Sequence, residues 1–229
     1  HSSIAVLPFT NLSGDAARDY FSDGMSEELL NLLARVPGLK VASRTSSFAY
    51  KGRNVDIREV GRELGVETVL EGSIRQSGDQ VRITAQLIDA ESGFHLWSET
   101  YDRRLEDIFR VQDEIAAMIV SKLRIELAPQ EQQMAVRDKA PTQNVEAYEL
   151  YLQGRAVWKR RGEENLTRAI DLFQRALGLD PGFARAHAAL ASAYVVMPGY
   201  TREEGDEAKF LPLAVASARQ ALSIDPNIG

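Results

Sequence analysis

The spacing of apolar residues changes along this chain from a mixed pattern to a purely helical one. Between Ile4 and Tyr101, short continuous or alternating apolar runs are interleaved with runs whose apolar residues recur every three or four positions. The first kind of run is typical of strands and the second of helices. After Asn144 only the helical spacing remains. The chain is therefore expected to fold as a sheet-containing domain followed by an all-helical region.

The first region predicts eight elements in the order β-α-β-α-β-β-β-α. They are strand 4–9, helix 25–36, strand 39–42, helix 57–64, strands 67–75, 81–87 and 94–101, and helix 108–123. Asp56 and Glu59 have the spacing of a capping box at the start of the second helix, and Gly65 ends that helix. The last three strands, joined by tight turns, predict an antiparallel meander. We therefore expect an α+β or α/β domain over residues 4–128, with a mixed sheet of about five strands.

Residues 129–144 lose this periodicity and contain two prolines and four glutamines, which predicts a linker. Beyond it, residues 145–229 contain an internal repeat. Ala176–Leu177–Gly178–Leu179–Asp180–Pro181 is nearly copied as Ala221–Leu222–Ser223–Ile224–Asp225–Pro226, with the two prolines 45 residues apart. Such a repeat, in a helical context, indicates stacked helix pairs.

This repeat resembles the tetratricopeptide repeat, a pair of antiparallel helices with a period of about 34 residues. The residues that match the pattern are Ala169, Phe173 and Ala176 in one unit, and Leu190, Ala191, Tyr194, Ala214 and Ala221 in the next. The second unit is about 11 residues longer than the family period, with the surplus at 197–212. In the first helix, Gly154 and Leu152 compete for the position of the small packing residue.

The first region resembles the TolB amino-terminal-like domain. The segments that carry the resemblance are IAVLPFTNLSGD, YFSDGMSEELL, RTSSFAYKG, VGRELGVETVLEGSIR, RITAQLIDAESGFHLWSETYDR and IFRVQDEIA, in the family's order. In bacteria this domain commonly precedes tetratricopeptide repeats and follows a CadC-type DNA-binding domain, a class III adenylate cyclase or a kinase. The resemblance implies the sensory part of a larger signalling protein. It also implies a periplasmic location as part of an inner-membrane protein, with the cytoplasm as the alternative.

Composition and motifs argue against several classes of function. With 27 Lys and Arg against 33 Asp and Glu, the net charge of -6 disfavours nucleic-acid binding by this fragment. No run approaches the roughly 20 apolar residues that membrane insertion requires. The chain has no cysteine, its three histidines (His1, His95 and His187) lack metal-ligand spacing, and nucleotide-binding and hydrolase motifs are missing. We therefore expect no catalytic residue, no cofactor and no metal.

One segment, 43–53, is unusually rich in cations, hydroxyls and aromatics for an acidic protein, and we call it the basic segment. Its expected structure is a loop, and its candidate contacts to an anion or acidic peptide are Arg44, Ser46, Tyr50, Lys51 and Arg53. The alternative is a charged connection that Phe48 and Tyr50 pin to the core.

A second set of candidates lies in the helical region, where a concave repeat groove would hold a ligand. The candidates are Tyr151, Arg155, Trp158, Lys159, Arg185 and Ser192. Aromatics are frequent hot spots of binding, but Tyr148, Tyr151 and Trp158 also suit packing between helices. The basic run at 159–161 equally suits a solvated face.

These observations favour a non-catalytic module that binds a protein or peptide and belongs to a larger bacterial regulatory protein. The alternatives are an envelope assembly scaffold and an unrecognised small-molecule hydrolase. The last helix carries Leu213, Ala214, Leu222 and Ile224 without a polar cap. We therefore expect the repeats to be cut from a longer array, and the uncovered apolar face to favour self-association.

Overall fold

A computed structural model describes residues 3–123, 142–201 and 206–228 of the 229-residue chain. These residues fall into two compact units on either side of the boundary between residues 138 and 139. We call them the sheet unit and the helical unit. Most of the linker predicted at 129–144 lies outside the described residues, and its boundaries stay a prediction.

The sheet unit is built on one six-stranded mixed sheet. Its strands are β1 (Ser3–Val6), β2 (Thr10–Asn11), β3 (Lys40–Val41), β4 (Thr68–Ser77), β5 (Gln80–Asp89) and β6 (His95–Arg104). The strand order is β3-β1-β4-β5-β6, and β2 also pairs with β4. Strands β1, β2, β3 and β4 pair in parallel, whereas β4, β5 and β6 form the antiparallel meander that the alternating pattern predicts.

Helices cover both faces of this sheet. They are α1 (Asp19–Ala34), α2 (Arg44–Phe48), α3 (Ile57–Leu64) and α4 (Ile108–Lys122). Helices α1 and α4 pack on each other, and α4 packs on β6, whose buried residues are Trp97 and Tyr101. Val69 of β4 points to the opposite face and packs with Val60 of α3. Because successive strand residues alternate between faces, α3 and α4 lie on opposite sides of the sheet.

Local signals set the ends of α3 as the sequence predicts. Asp56 has an extended backbone, and its side chain accepts a hydrogen bond from the N–H of Arg58. Gly65 closes the helix with a φ of 63°, in the left-handed region that glycine adopts most easily. Glu59 lies in the first turn, where a negative charge favours the helix.

Three predictions for the sheet unit need correction. The helix predicted at 25–36 is α1, which begins earlier, at Asp19, and ends at Ala34. The strand predicted at 4–9 ends at Val6, and the chain pairs again only at Thr10–Asn11, because Pro8 has no N–H to donate to a ladder. The basic segment contains α2, although its composition predicts a loop. Ser43 caps this helix by accepting a hydrogen bond from the N–H of Ser46, so a run of hydroxyl residues that resembles a loop starts a short helix.

Within its described residues, the helical unit has four α-helices that pack mainly on their neighbours in the chain. They are α5 (Val145–Trp158), α6 (Glu163–Leu179), α7 (Ala184–Val196) and α8 (Asp206–Ile224). The most extensive packing joins α5 to α6 and α7 to α8. Part of the surplus predicted at 197–212 is helical, because α8 begins at Asp206 and includes Pro212. Residues 202–205 lie outside the described residues.

Helices α5 and α6 approach closely at Gly154. A β-carbon added there would lie 2.6 Å from Cε1 of Phe173, whose side chain is 1% exposed. Phe173 cannot move aside easily, since its ring also contacts Tyr151, with 6.1 Å between ring centroids. Gly154 therefore permits the close approach of α5 and α6, and Leu152 is buried as well.

We expect Gly154→Ala to lower the free energy of unfolding by about 2 kcal/mol, because the added methyl group overlaps a fixed ring. Gly178 provides a matched control, since it lies in α6 with no atom within 4 Å of its added β-carbon. Gly178→Ala should raise the stability by about 0.5 kcal/mol through its helix propensity. Urea unfolding followed by circular dichroism measures both changes, and equal effects would show that the close approach at Gly154 is absent.

Two arginine–carboxylate pairs of the sheet unit have the same length but differ in burial. Arg44 of α2 lies 2.6 Å from Glu27 of α1, whose side chain is 5% exposed. Arg82 and Asp102 face each other across β5 and β6 at 2.6 Å, with side chains 57% and 62% exposed. Water screens the second pair far more strongly than the first.

Arg44→Met should therefore lower the free energy of unfolding by about 2 kcal/mol, since a buried carboxylate loses a charged hydrogen-bond partner. Arg82→Met should leave the stability nearly unchanged, because its partner is already solvated. Thermal unfolding at low ionic strength compares the two variants. An equal loss of stability in the Arg82 and Arg44 variants would show that burial does not separate the two pairs.

Candidate functional site

The structure pairs two of the three cations of the basic segment with carboxylates of α1. Arg44 hydrogen-bonds Glu27 and its guanidinium lies 4.1 Å from the centroid of the Phe48 ring. Lys51 donates to both carboxylate oxygens of Asp23 at 2.7 Å. These contacts attach the segment to α1, so an anion that binds Arg44 or Lys51 has to compete with an internal carboxylate.

The remaining candidates of the segment differ from one another. Ser46 is exposed and its hydroxyl is hydrogen-bonded to that of Ser43. Tyr50 is buried, and its hydroxyl donates to Glu63, a hydrogen bond that raises the pKa of the tyrosine. Arg53 is exposed and lies over the Tyr50 ring, 5.1 Å from the centroid. Among the described residues, its guanidinium has no carboxylate partner.

Arg53 and Tyr50 line a polar cavity of about 480 Å³ in the sheet unit. The chain immediately after β1 forms one wall, with Leu7, Pro8 and Thr10. The basic segment forms another wall, and β4 and β5 supply the floor. In parallel α/β sheets, ligand crevices form beyond the carboxyl ends of strands, and this cavity lies beyond the carboxyl end of β1.

The floor of the cavity carries four polar side chains on one face of the sheet. Glu71 lies opposite Gln86, and Ser73 lies opposite Thr84. Cross-strand neighbours of this kind have β-carbons about 5 Å apart. The candidates inferred from the sequence do not include these residues. The sequence signal for Thr84 and Gln86 is the alternation of polar and apolar residues along β5, in which they are polar positions. Alternation alone does not show whether a polar face lies in solvent or lines a cavity.

In the helical unit, the aromatic candidates are mostly packing residues. Tyr151 is 5% exposed, and its ring centroid lies 4.9 Å from that of Phe183. Trp158 is half-buried and lies under the guanidinium of Arg161 at 4.0 Å. Arg155 lies 5.8 Å from the centroid of the Tyr151 ring. Lys159 is exposed and Arg185 half-exposed, and both have interaction partners in the structure.

Ser192 lines an apolar groove between α7 and α8 with a volume of about 410 Å³. The other five candidates are not among its lining residues. Most of the wall is formed by small and branched apolar side chains, namely Ala191, Val195, Val196, Leu211, Ala214 and Val215. Val195 is 64% exposed and Leu211 is 60% exposed. The groove therefore presents apolar surface to solvent, which is typical of interaction sites.

The apolar face expected on the last helix is partly exposed. Leu213, Leu222 and Ile224 are 43%, 51% and 37% exposed, whereas Ala214 is buried against α7. Self-association through this face stays a prediction.

No group of three or more His, Cys, Asp or Glu residues suited to a metal ion occurs within residues 3–123, 142–201 and 206–228. In the same part of the chain, no helix has both the length and the apolar character needed to cross a membrane.

Several known proteins are similar to this chain. A putative adenylate cyclase of Rhizobium meliloti is 44% identical over 223 residues, which is 97% of this chain and 38% of that relative. The chain therefore spans little more than a third of the curated relative that it matches. Crystal structures of TolB from Acinetobacter baumannii and of a lipoprotein from Neisseria meningitidis align with TM-scores of 0.41 and 0.39. TolB is 20% identical and the alignment covers 53% of this chain and 28% of TolB. The lipoprotein is 21% identical and the alignment covers 56% of this chain and 100% of the lipoprotein.

A family model also matches the sheet unit. The match covers residues 1–118, about half of the chain, and its description is the second domain of a HilA/YgeH-like transcriptional regulator. It includes all six strands and most of α4. The chain belongs to the family of HilA/YgeH-like transcriptional regulator second domains.

Proposed function

We propose that this chain is a non-catalytic sensory module of a larger bacterial regulatory protein, and that it acts by binding a protein or peptide segment. The main support for this proposal is that the chain matches two different kinds of known protein. Nearly the whole chain matches part of a putative adenylate cyclase, and its sheet unit matches a domain of transcriptional regulators. A cyclase and a transcriptional regulator have different outputs. A region that occurs in both kinds of protein is therefore more consistent with regulation than with the output activity of either one.

The helical unit supplies the binding surface in this proposal. We interpret α5–α6 and α7–α8 as two tetratricopeptide repeats. Three features support this: the near-copies that end in Pro181 and Pro226, the packing of neighbouring helices in pairs, and the small residue Gly154 against Phe173. Repeats of this kind are stabilised mainly by contacts with neighbouring repeats and leave extended surfaces for ligands.

The groove between α7 and α8 is the proposed binding surface. Val195 and Leu211 are more than half exposed on its walls, so burying them against an apolar side chain of a ligand is favourable. The hydroxyl of Ser192 already donates to the carbonyl of Ala188, which leaves the groove with little polar character. The expected ligand is an amphipathic segment that inserts apolar side chains spaced along one face.

A phage-displayed library of random peptides, panned on the 229-residue chain, tests this proposal. We expect the enriched peptides to carry apolar residues three or four positions apart. Val195→Asp should weaken their binding at least about ten-fold, because the bound state then buries a charge against apolar side chains. Fluorescence anisotropy with labelled peptides measures the affinities.

Ala216→Asp is the matched control, because Ala216 is an exposed residue of α8 that does not line the groove. It introduces the same charge into the same helical unit and should leave the affinities unchanged. Enriched peptides that bind the Val195 variant as tightly as the wild type would exclude the groove as the binding surface. Failure to enrich any peptide would count against peptide binding by this chain.

A further inference from the structure

The polar cavity of the sheet unit contains one positive and one negative side chain that lack charged partners among the described residues. These are Arg53 on the wall and Glu71 on the floor. Arg44 and Lys51, in the same basic segment as Arg53, are both paired with carboxylates of α1. Two cations of the segment therefore pair with α1, and the third, Arg53, lines the cavity.

Local structure holds Arg53 in position. The N–H of Arg53 donates to the carbonyl of Tyr50 at 3.0 Å, and Gly52 before it has a φ of 72°. The guanidinium lies over the Tyr50 ring, which is itself fixed by burial and by its hydrogen bond to Glu63. Stacking on an aromatic ring orients a guanidinium while leaving its in-plane N–H groups available to a ligand.

The backbone of Glu71 is fixed, because it lies within the ladder between β4 and β5, opposite Gln86. Its side chain is half-buried and makes no hydrogen bond or ion pair with another described residue. Ser73 and Thr84 lie beside it on the same face, and Asn54, the residue after the basic segment, also lines the cavity. Because this carboxylate has no cation partner among the described residues, a ligand that brings a positive group is favoured.

The charges of the lining select among ligands. A simple anion such as phosphate is attracted by Arg53 but repelled by Glu71. A simple cation is attracted by Glu71 but repelled by Arg53. A molecule that carries both charges satisfies both side chains, and the amide and hydroxyl groups complete its hydrogen bonds. Leu7 and Pro8 add an apolar patch to one wall. The volume of about 480 Å³ lies within the range of about 300–1,000 Å³ that is usual for small-molecule sites.

We propose that this cavity binds a zwitterionic amino acid or short peptide, with its ammonium group at Glu71 and its carboxylate at Arg53. The bidentate donors of arginine suit a carboxylate, and the carboxylate of Glu71 suits an ammonium group. The inference rests on the sheet unit alone and does not depend on the proposed groove of the helical unit. The sensory module would then have a small-molecule site in addition to its protein-binding surface.

Titration of the ¹⁵N-labelled 229-residue chain, followed by NMR, tests this proposal. The probes are alanine, leucine, glutamate, lysine and the peptides alanyl-alanine and alanyl-alanyl-alanine. We expect at least one of them to shift the amide signals of residues that line the cavity, with saturation at one ligand per chain. Its N-acetylated and C-amidated derivatives should bind at least about ten-fold more weakly, because each lacks one of the two charges.

Three variants locate the site. Glu71→Gln and Arg53→Gln should each weaken the binding at least about ten-fold, since each removes one charge and keeps a similar size. Arg75→Gln is the matched control, because Arg75 is an exposed cation on β4 that does not line the cavity. It should change the affinity by less than about two-fold. Circular dichroism and thermal unfolding verify that all three variants are folded.

Several outcomes would overturn the proposal. One is the absence of signal shifts with every probe up to millimolar concentration. Another is equal binding of the blocked derivatives or of the Glu71 variant. A third is saturable binding of inorganic phosphate that depends on Arg53 and is insensitive to Glu71→Gln, which would identify an anion site instead.

Discussion

The sheet unit depends on the parallel pairing of β1 with β4, which brings together residues about 64 positions apart in the chain. The hydroxyl of Thr68 donates to the carbonyl of Ser3 at 2.8 Å, and the hydroxyl of Ser3 accepts from the N–H of Glu67 at 2.9 Å. This pairing places β1 inside the sheet, between β3 and β4, where its residues are buried. Helices on both faces, with α1 and α4 on one and α3 on the other, follow from that burial. The interruption after Val6 then opens the space that the cavity occupies.

In the helical unit, the corresponding constraint is the close packing of neighbouring helices. Gly154 lets α5 approach the ring of Phe173, and the aromatic cluster of Tyr148, Tyr151 and Phe183 fills the space beside it. The second pair buries Ala214 and Ala221 of α8 but leaves Leu211 and Val215 in solvent. Small residues at the contact and large apolar residues outside it produce the groove between α7 and α8. The surface proposed for binding is thus a consequence of how this pair packs.

Sequence patterns predict the elements of this chain well where the signal is local. The cap at Asp56, the left-handed Gly65 and the alternation along β5 all lie within a few residues of the structure they set. The sequence does not predict helix α2, because its hydroxyl-rich residues equally suit a loop. In the structure, the Ser43 side chain caps the helix and the N–H of Ser47 donates to the carbonyl of Ser43. The candidate sites were harder to predict, since they depend on contacts between distant residues. Arg44 and Arg53 look alike in the sequence, but a carboxylate of α1 engages only the first. Glu71 becomes notable only once β4 lies beside β1 and across from the basic segment.

We propose that the chain regulates an output domain and is not itself the catalytic part. Cyclic AMP production provides the most direct test, because the relative that matches 97% of the chain is a putative adenylate cyclase. The 229-residue chain, incubated with ATP and Mg²⁺ or Mn²⁺, should form no more cyclic AMP than a protein-free control, whereas the full-length Rhizobium meliloti relative should form it. Cyclic AMP that increases in proportion to the concentration of the 229-residue chain would contradict the account.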